Sequence, residues 1–140
     1  MKQLYDMGYG TIKKVGALHD FVKANNAILV DVRFSPRARN PDYNKNALMD
    51  RFGTRYLHIT QLGNKDYKGD GIDFVDLEAG LKLVAAELEY RPVILMCACW
   101  QRSTCHRLAI VDALEKEYGV TAIPLTNDML TPPPQPYLFQ

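Results

Sequence analysis

Between Leu95 and Arg107 the chain reads LMCACWQRSTCHR, which brings three cysteines, one histidine and two arginines into one short stretch. A cysteine and a histidine where a helix begins meet free backbone amides and the positive end of the helix dipole, and both stabilise an anion. A thiol there has its pKa lowered, more so beside a cation such as Arg107. Cys105 is therefore a candidate nucleophile and His106 a candidate acid or base. Neighbouring helical residues diverge around the axis, so the two are not expected to pair with each other. A base must then come from another strand end, and Asp31 is the residue that qualifies. The set Cys97-x-Cys99-x5-Cys105-His106 has the ligand types and number that zinc takes. Its spacing does not suit a zinc knuckle, because adjacent Cys105 and His106 would have to bite one ion from one helix, so no metal is assigned. Packing is the ordinary role of a cysteine on an apolar strand such as Cys97.

The elements around this stretch follow from periodicity. Pro92–Cys99 is an apolar run that reads as a strand, followed by a polar loop and a helix capped by Ser103 or Thr104, with Arg107, Val111, Leu114 and Tyr118 on one stripe and Gly119 at its end. Parallel α/β sheets bind ligands beyond the C-terminal ends of their strands, and this loop opens there. Ala27–Phe34, AILVDVRF, has the continuous aliphatic run of a central parallel strand. Period-two geometry places Asp31 and Arg33 on one side at its C-terminal end. A buried carboxylate needs a partner, so Asp31 either bonds a neighbouring loop or does chemistry. Ser35–Lys45 is a loop in which Arg37 and Arg39 follow Arg33. The guanidinium fork suits phosphate or carboxylate, although a solvated basic loop is the commoner fate of such a run.

Gln3–Met7 reads as a first strand, and Gly8-Tyr9-Gly10 as a tight turn whose glycines allow close approach of a ligand or simply turn the chain. Thr11 is placed as the cap of a helix with Val15, Leu18 and Val22 inward, stopped by Asn25-Asn26. A short helix at Asn46–Phe52 ends at Gly53, and Arg55–Ile59 alternates as a third strand with His58 near its end. Asn64–Ile72 is a polar loop long enough to act as a flap. Asp73 is placed as the cap of a helix to Tyr90, and Val120–Leu125 as a fifth strand. Strand–helix alternation predicts a single three-layer α/β/α domain over residues 1–127, with a mostly parallel sheet of about five strands (Rossmann-like or rhodanese-like), and an extended Pro-rich tail over 128–140.

Composition narrows the classes. At 140 residues and 47% hydrophobic the chain holds one core, and a net charge of +1 gives no global footprint for duplex nucleic acid. No apolar run has the length of a membrane span, and the cysteine count is odd and clustered, so no disulfide framework is expected and a cytoplasmic setting is the default.

Taken together, Gly8-Tyr9-Gly10, Asp31-Val32-Arg33 with Pro36 and Arg39, His58 with Leu62-Gly63, and Cys97 with Cys105-His106-Arg107 resemble the domain-of-unknown-function family 488, small cytoplasmic proteins of bacteria and archaea. Typical members have a glutamate where this chain has Cys99 and a proline where it has Arg102. A weaker similarity is to rhodanese-like sulfurtransferases and cysteine phosphatases, through Asp-x-Arg at a strand end and the frame Cys97-x4-Arg102. That frame contains no glycine and includes bulky Trp100. The expectation is an enzyme, a hydrolase or transferase, that binds a phosphate-containing ligand of nucleotide or nucleic-acid type, without a cofactor. Asp31, Cys105 and His106 are the expected catalytic residues. Gly8, Tyr9, Gly10, Arg33, Arg39, Cys97 and Arg107 are expected to bind the ligand. The alternatives are a rhodanese-like or phosphatase-like enzyme and a non-catalytic binding module.

Overall fold

The computed structural model describes residues 1–69, 71–98 and 105–130. Five strands, β1 (Leu4–Gly8), β2 (Ile28–Asp31), β3 (Tyr56–His58), β4 (Val93–Cys97) and β5 (Ala122–Pro124), form one sheet in the order β3-β2-β4-β1-β5, and every pairing is parallel. The helices α1 (Val15–Ala24), α2 (Lys45–Phe52), α3 (Leu77–Leu88), α4 (His106–Tyr118) and α5 (Asn127–Leu130) connect or follow them. This is the expected three-layer α/β/α arrangement.

Strand alternation splits the core between the two faces of the sheet. Ile28, Val30, Val93 and Leu95 pack with Leu81, Val84 and Leu88 of α3 and Ile110, Val111 and Leu114 of α4. Leu29, Ile94 and Met96 pack with Val15, Leu18 and Val22 of α1 and with Leu48 and Phe52 of α2. Residues one apart in sequence thus serve opposite layers, as period two requires. A central parallel strand has no solvent face, which is why β2 and β4 are apolar almost throughout.

Helix ends are where the structure departs from the sequence reading. Thr11 does not cap α1. Its hydroxyl donates to the Gly8 carbonyl at 3.0 Å within the turn, and Lys14 takes the cap position without a side-chain bond. Asp73 does not cap α3 either. Its amide donates to Asn64 Oδ1 at 2.8 Å, and Phe74 makes an antiparallel bridge to Asn64, so the helix is held off until Asp76, whose Oδ1 accepts from Ala79 N at 3.2 Å. Cys105, in extended conformation, is the N-cap of α4, with His106 as its first residue. Ser103 and Thr104, the expected caps, lie outside the described residues. Gly119 closes α4 at φ +69°, the left-handed position that favours glycine. Asn25 caps the end of α1 as expected, and its side chain donates to the Phe21 carbonyl at 2.9 Å. Residues 128–130 belong to α5, and 131–140, most of the expected tail, lie outside the described residues.

Candidate anion-binding site

β2 lies between β3 and β4, so the chain that leaves β2 is flanked by the ends of both neighbours. Leu29, Asp31 and Arg33 alternate toward the α1/α2 layer. Tyr56 stands opposite Leu29 in the β3 ladder, and its side chain joins them. Asp31 Oδ1 accepts from Arg33 Nε at 2.9 Å and from the Arg33 amide at 3.1 Å. Asp31 Oδ2 accepts from Arg33 Nη2 at 2.7 Å and from the Tyr56 hydroxyl at 2.6 Å. Asp31 is 0% exposed and Arg33 4%. Burial opposes the charge on Arg33, but the hydrogen bond and charge of Asp31 outweigh it and raise the guanidinium pKa, so the group stays ionised. Burial, followed by the Asp31 charge, pushes the Tyr56 hydroxyl up as well, which keeps it a donor. Four donors reach the two oxygens of Asp31, which fixes the direction of the Arg33 side chain.

The guanidinium also rests on an aromatic support. Its carbon lies 5.6 Å from the centroid of the Tyr9 ring, and Tyr9 stacks on Tyr43 at 5.2 Å and 22°. Tyr43 is fixed in turn by its hydroxyl, which donates to the Ile12 carbonyl. The His58 ring nitrogen Nε2 donates to the Arg33 carbonyl at 2.8 Å and pins the backbone. One polar atom of Arg33 is left over. Nη1 is buried and makes no hydrogen bond among the described residues.

Arg33 stands at the wall of a cavity of about 540 Å³. The chain after β2 supplies Phe34, Ser35 and Arg37, the loop after β3 supplies Tyr67 and Ile72, and the other side holds Ala98 and His106. The loop over residues 64–72, expected as a flap, has an internal frame. Asn64 Oδ1 accepts from the amides of Asp66 and Asp73 at 3.0 and 2.8 Å, and its Nδ2 donates to the Gly71 carbonyl at 3.1 Å. Asp66 Oδ2 accepts from Gly71 N at 3.0 Å. Gly63 leads into this loop at the point of closest approach to Phe34. A Cβ there would lie 2.8 Å from Phe34 Cα and 3.1 Å from the Thr60 carbonyl oxygen. Gly63→Ala should therefore cost about 1–3 kcal/mol and push Phe34 from its place, read as a lowered urea midpoint and altered Phe34 ring resonances. An unchanged midpoint would show that the contact yields freely.

His106 is held by Nε2, 3.1 Å from the Val32 carbonyl oxygen. A carbonyl only accepts, so Nε2 carries the proton and Nδ1 is the basic nitrogen. Burial depresses its pKa below 6.5, the Val32 hydrogen bond opposes this, and the charge of Arg107 adds to it. His106 is thus neutral near pH 7. In the pH window below 6.5 the unfolded chain takes up the proton first. Stability is therefore full above 6.5 and is lost as pH falls through the lowered folded value. His106→Gln should flatten that acid limb in chemical denaturation measured from pH 7 to 5, and an unchanged slope would assign the limb to other groups.

Cys97 and Cys105 do not line the cavity. Cys97 is fully buried at the end of β4 in register with Gly8, and its Sγ lies 2.7 Å from Cys105 Sγ. Cys105 is disulfide-bonded, and in that state it offers no thiolate. Its Sγ accepts from Arg107 N at 3.4 Å as the cap of α4, and it comes to 4.0 Å from His106 Nδ1. The contact arises because Cys105 is extended and lies outside the helix, and a disulfide sulfur forms no ion pair with the ring. Arg107, expected beside Arg33 as a ligand-binding residue, does not line the cavity. It is buried under α4, with Nε 3.0 Å from Asp6 Oδ1 and Nη1 3.5 Å from Cys97 Sγ.

Of the residues expected to bind ligand, Arg33 lines the cavity, Tyr9 supports it from behind, and Gly8, Gly10, Arg39, Cys97 and Arg107 do not line it. Of those expected to be catalytic, His106 alone lines it. Cys99, Trp100 and Arg102 lie outside the described residues. The sequence reading missed Asp6, Phe34, Tyr56 and Tyr67. Asp6 carried a visible signal, a carboxylate inside the apolar alternation of LYDMG. Among the described residues no group of three or more His, Cys, Asp or Glu is placed to hold a metal ion, and no helix is long and apolar enough to cross a membrane.

Fold and site together define an α/β protein with a parallel sheet, an arginine-walled cavity at the C-terminal strand edge and a histidine within it. The model of the family described as Domain of unknown function DUF488 matches residues 14–114, more than half of the chain, and the chain belongs to that family. The matched span contains Asp31, Arg33, His58 and the Cys105-His106-Arg107 sequence, and leaves out the Gly8-Tyr9-Gly10 turn. No curated protein and no solved structure matches the chain.

Proposed function

We propose that the protein is an enzyme that binds a phosphate-bearing ligand in this cavity through Arg33, with His106 as the group that exchanges a proton with it. The observation that carries the reading is Arg33 Nη1. A buried donor without an acceptor costs about 1–3 kcal/mol, and here it belongs to a cation fixed by Asp31, Tyr56 and Tyr9 at the wall of a cavity. An anionic oxygen taken up beside it would offset that cost with a charge-assisted bond and meet Arg37 at the rim. His106 supports the enzyme reading over simple binding. It is neutral, oriented through Nε2, keeps Nδ1 as its basic nitrogen, and lines the same cavity. Cys105 would join the chemistry only as a reduced thiol.

Isothermal titration with inorganic phosphate and ribose 5-phosphate tests the binding. Arg33→Lys keeps a cation beside Asp31 but loses the fork, and should weaken both ligands about tenfold or more with the fold retained by circular dichroism. Equal affinity in the variant would refute the assignment of Arg33. A wild type that takes up neither ligand would refute the anion site itself.

A further inference from the structure

Building on the anion site just described, we propose that the ligand carries a planar aromatic ring and is a nucleoside 5′-monophosphate, its base held against Phe34 and Tyr67. Two large aromatic side chains stand at the mouth of a cavity whose inner wall is a buried cation. Phe34 is 39% exposed and Tyr67 48%. Their rings already lie in a stacked arrangement, 5.7 Å between centroids and 30° between planes. Ile72, also exposed, extends the apolar wall on the same loop.

The two rings are mounted differently. Phe34 follows Arg33 directly, and its backbone is backed by Gly63 at a distance that leaves no room for a Cβ. Tyr67 belongs to the loop framed by Asn64 and Asp66, which is tied across itself at Gly71. One wall is therefore set by the sheet and the other by a separate loop that closes against it. A flat ring has a π-face for such a surface whatever its substituents, and stacking is tolerant of base identity. The polar groups of Asn64 are already engaged within the loop, so the pocket holds a base by its faces.

Size and charge favour a single nucleotide over a polymer. A cavity of about 540 Å³ falls in the range of small-ligand sites. One fixed buried guanidinium with one rim arginine suits one phosphate group. The net charge of +1 provides no basic track along which further phosphates would run.

The test is isothermal titration with AMP, CMP, ribose 5-phosphate and a short single-stranded oligonucleotide, on the wild type and on Phe34→Leu, Phe34→Ala and Tyr67→Ala. Both rings are substantially exposed, so the variants retain the fold, and leucine at 34 keeps bulk without a ring. The expected result is that the mononucleotides bind about tenfold tighter than ribose 5-phosphate. The ring variants should erase that difference while leaving ribose 5-phosphate affinity unchanged. Equal affinity for AMP and ribose 5-phosphate, both dependent on Arg33, would overturn the aromatic assignment and leave the anion site standing. Binding of no phosphate compound would overturn both. Tighter binding of the oligonucleotide than of AMP would overturn the choice of a single nucleotide.

Discussion

Asp31→Asn should destabilise the protein by about 3–5 kcal/mol, the usual cost of removing one partner of a buried ion pair. Nearly the whole penalty is the Arg33 charge left at 4% exposure, with its Nε and Nη2 facing an uncharged amide. The Tyr56 hydroxyl loses its charged acceptor at the same time. Denaturant unfolding measures the loss, and a change under about 1 kcal/mol would mean that the pair is worth no more than a surface one. A second variant separates structure from function. Asp31→Leu with Arg33→Met removes both charges, and apolar replacement of a buried pair is often neutral or stabilising. This double variant should recover most of the stability and bind no phosphate. Retained phosphate binding in it would place the anion site elsewhere.

The second large effect is on the other face of the sheet. Asp6→Asn should cost a similar ~3–5 kcal/mol, because it strands Arg107 beneath α4. Asp6 is 1% exposed and Arg107 3%, with 3.0 Å between Oδ1 and Nε. Phosphate affinity should hold within about twofold, since Arg107 does not line the cavity. Thermal unfolding and titration on the same preparation report both quantities. A large loss of phosphate affinity in a folded Asp6→Asn protein would return Arg107 to the binding site.

These two ion pairs also mark how far the sequence could be read. Asp31 with Arg33 was legible because spacing by two puts side chains on one face of a strand regardless of the fold around it. The aliphatic run of Ala27–Val30 announced a covered central strand for the same local reason. Asp6 with Arg107 joins residues far apart in the chain, and nothing local in LYDMG says which helix will cross it. The strand order β3-β2-β4-β1-β5 is equally silent in the sequence. That order explains why the loop after β3, and not the turn after β1, supplies a wall of the cavity. Phe34 and Tyr67 went unnoticed because each lies in irregular chain and gains meaning only when the two loops meet. Cys105 as a cap was missed because serine and threonine nearby are stronger candidates on propensity, and the backbone turn chose otherwise. The histidine after it was legible as a helix-start residue, but its orientation depends on the Val32 carbonyl of a distant strand.

Arg33 Nη1 is the donor we assign to the anion, and nitrogen-15 NMR of the arginine side chains during a phosphate titration reads that group. The Arg33 guanidinium resonances should shift saturably with phosphate and exchange more slowly with solvent, in step with the affinity measured by calorimetry. Shifts confined to the exposed Arg37 and Arg39, with Arg33 unmoved at saturating phosphate, would contradict it.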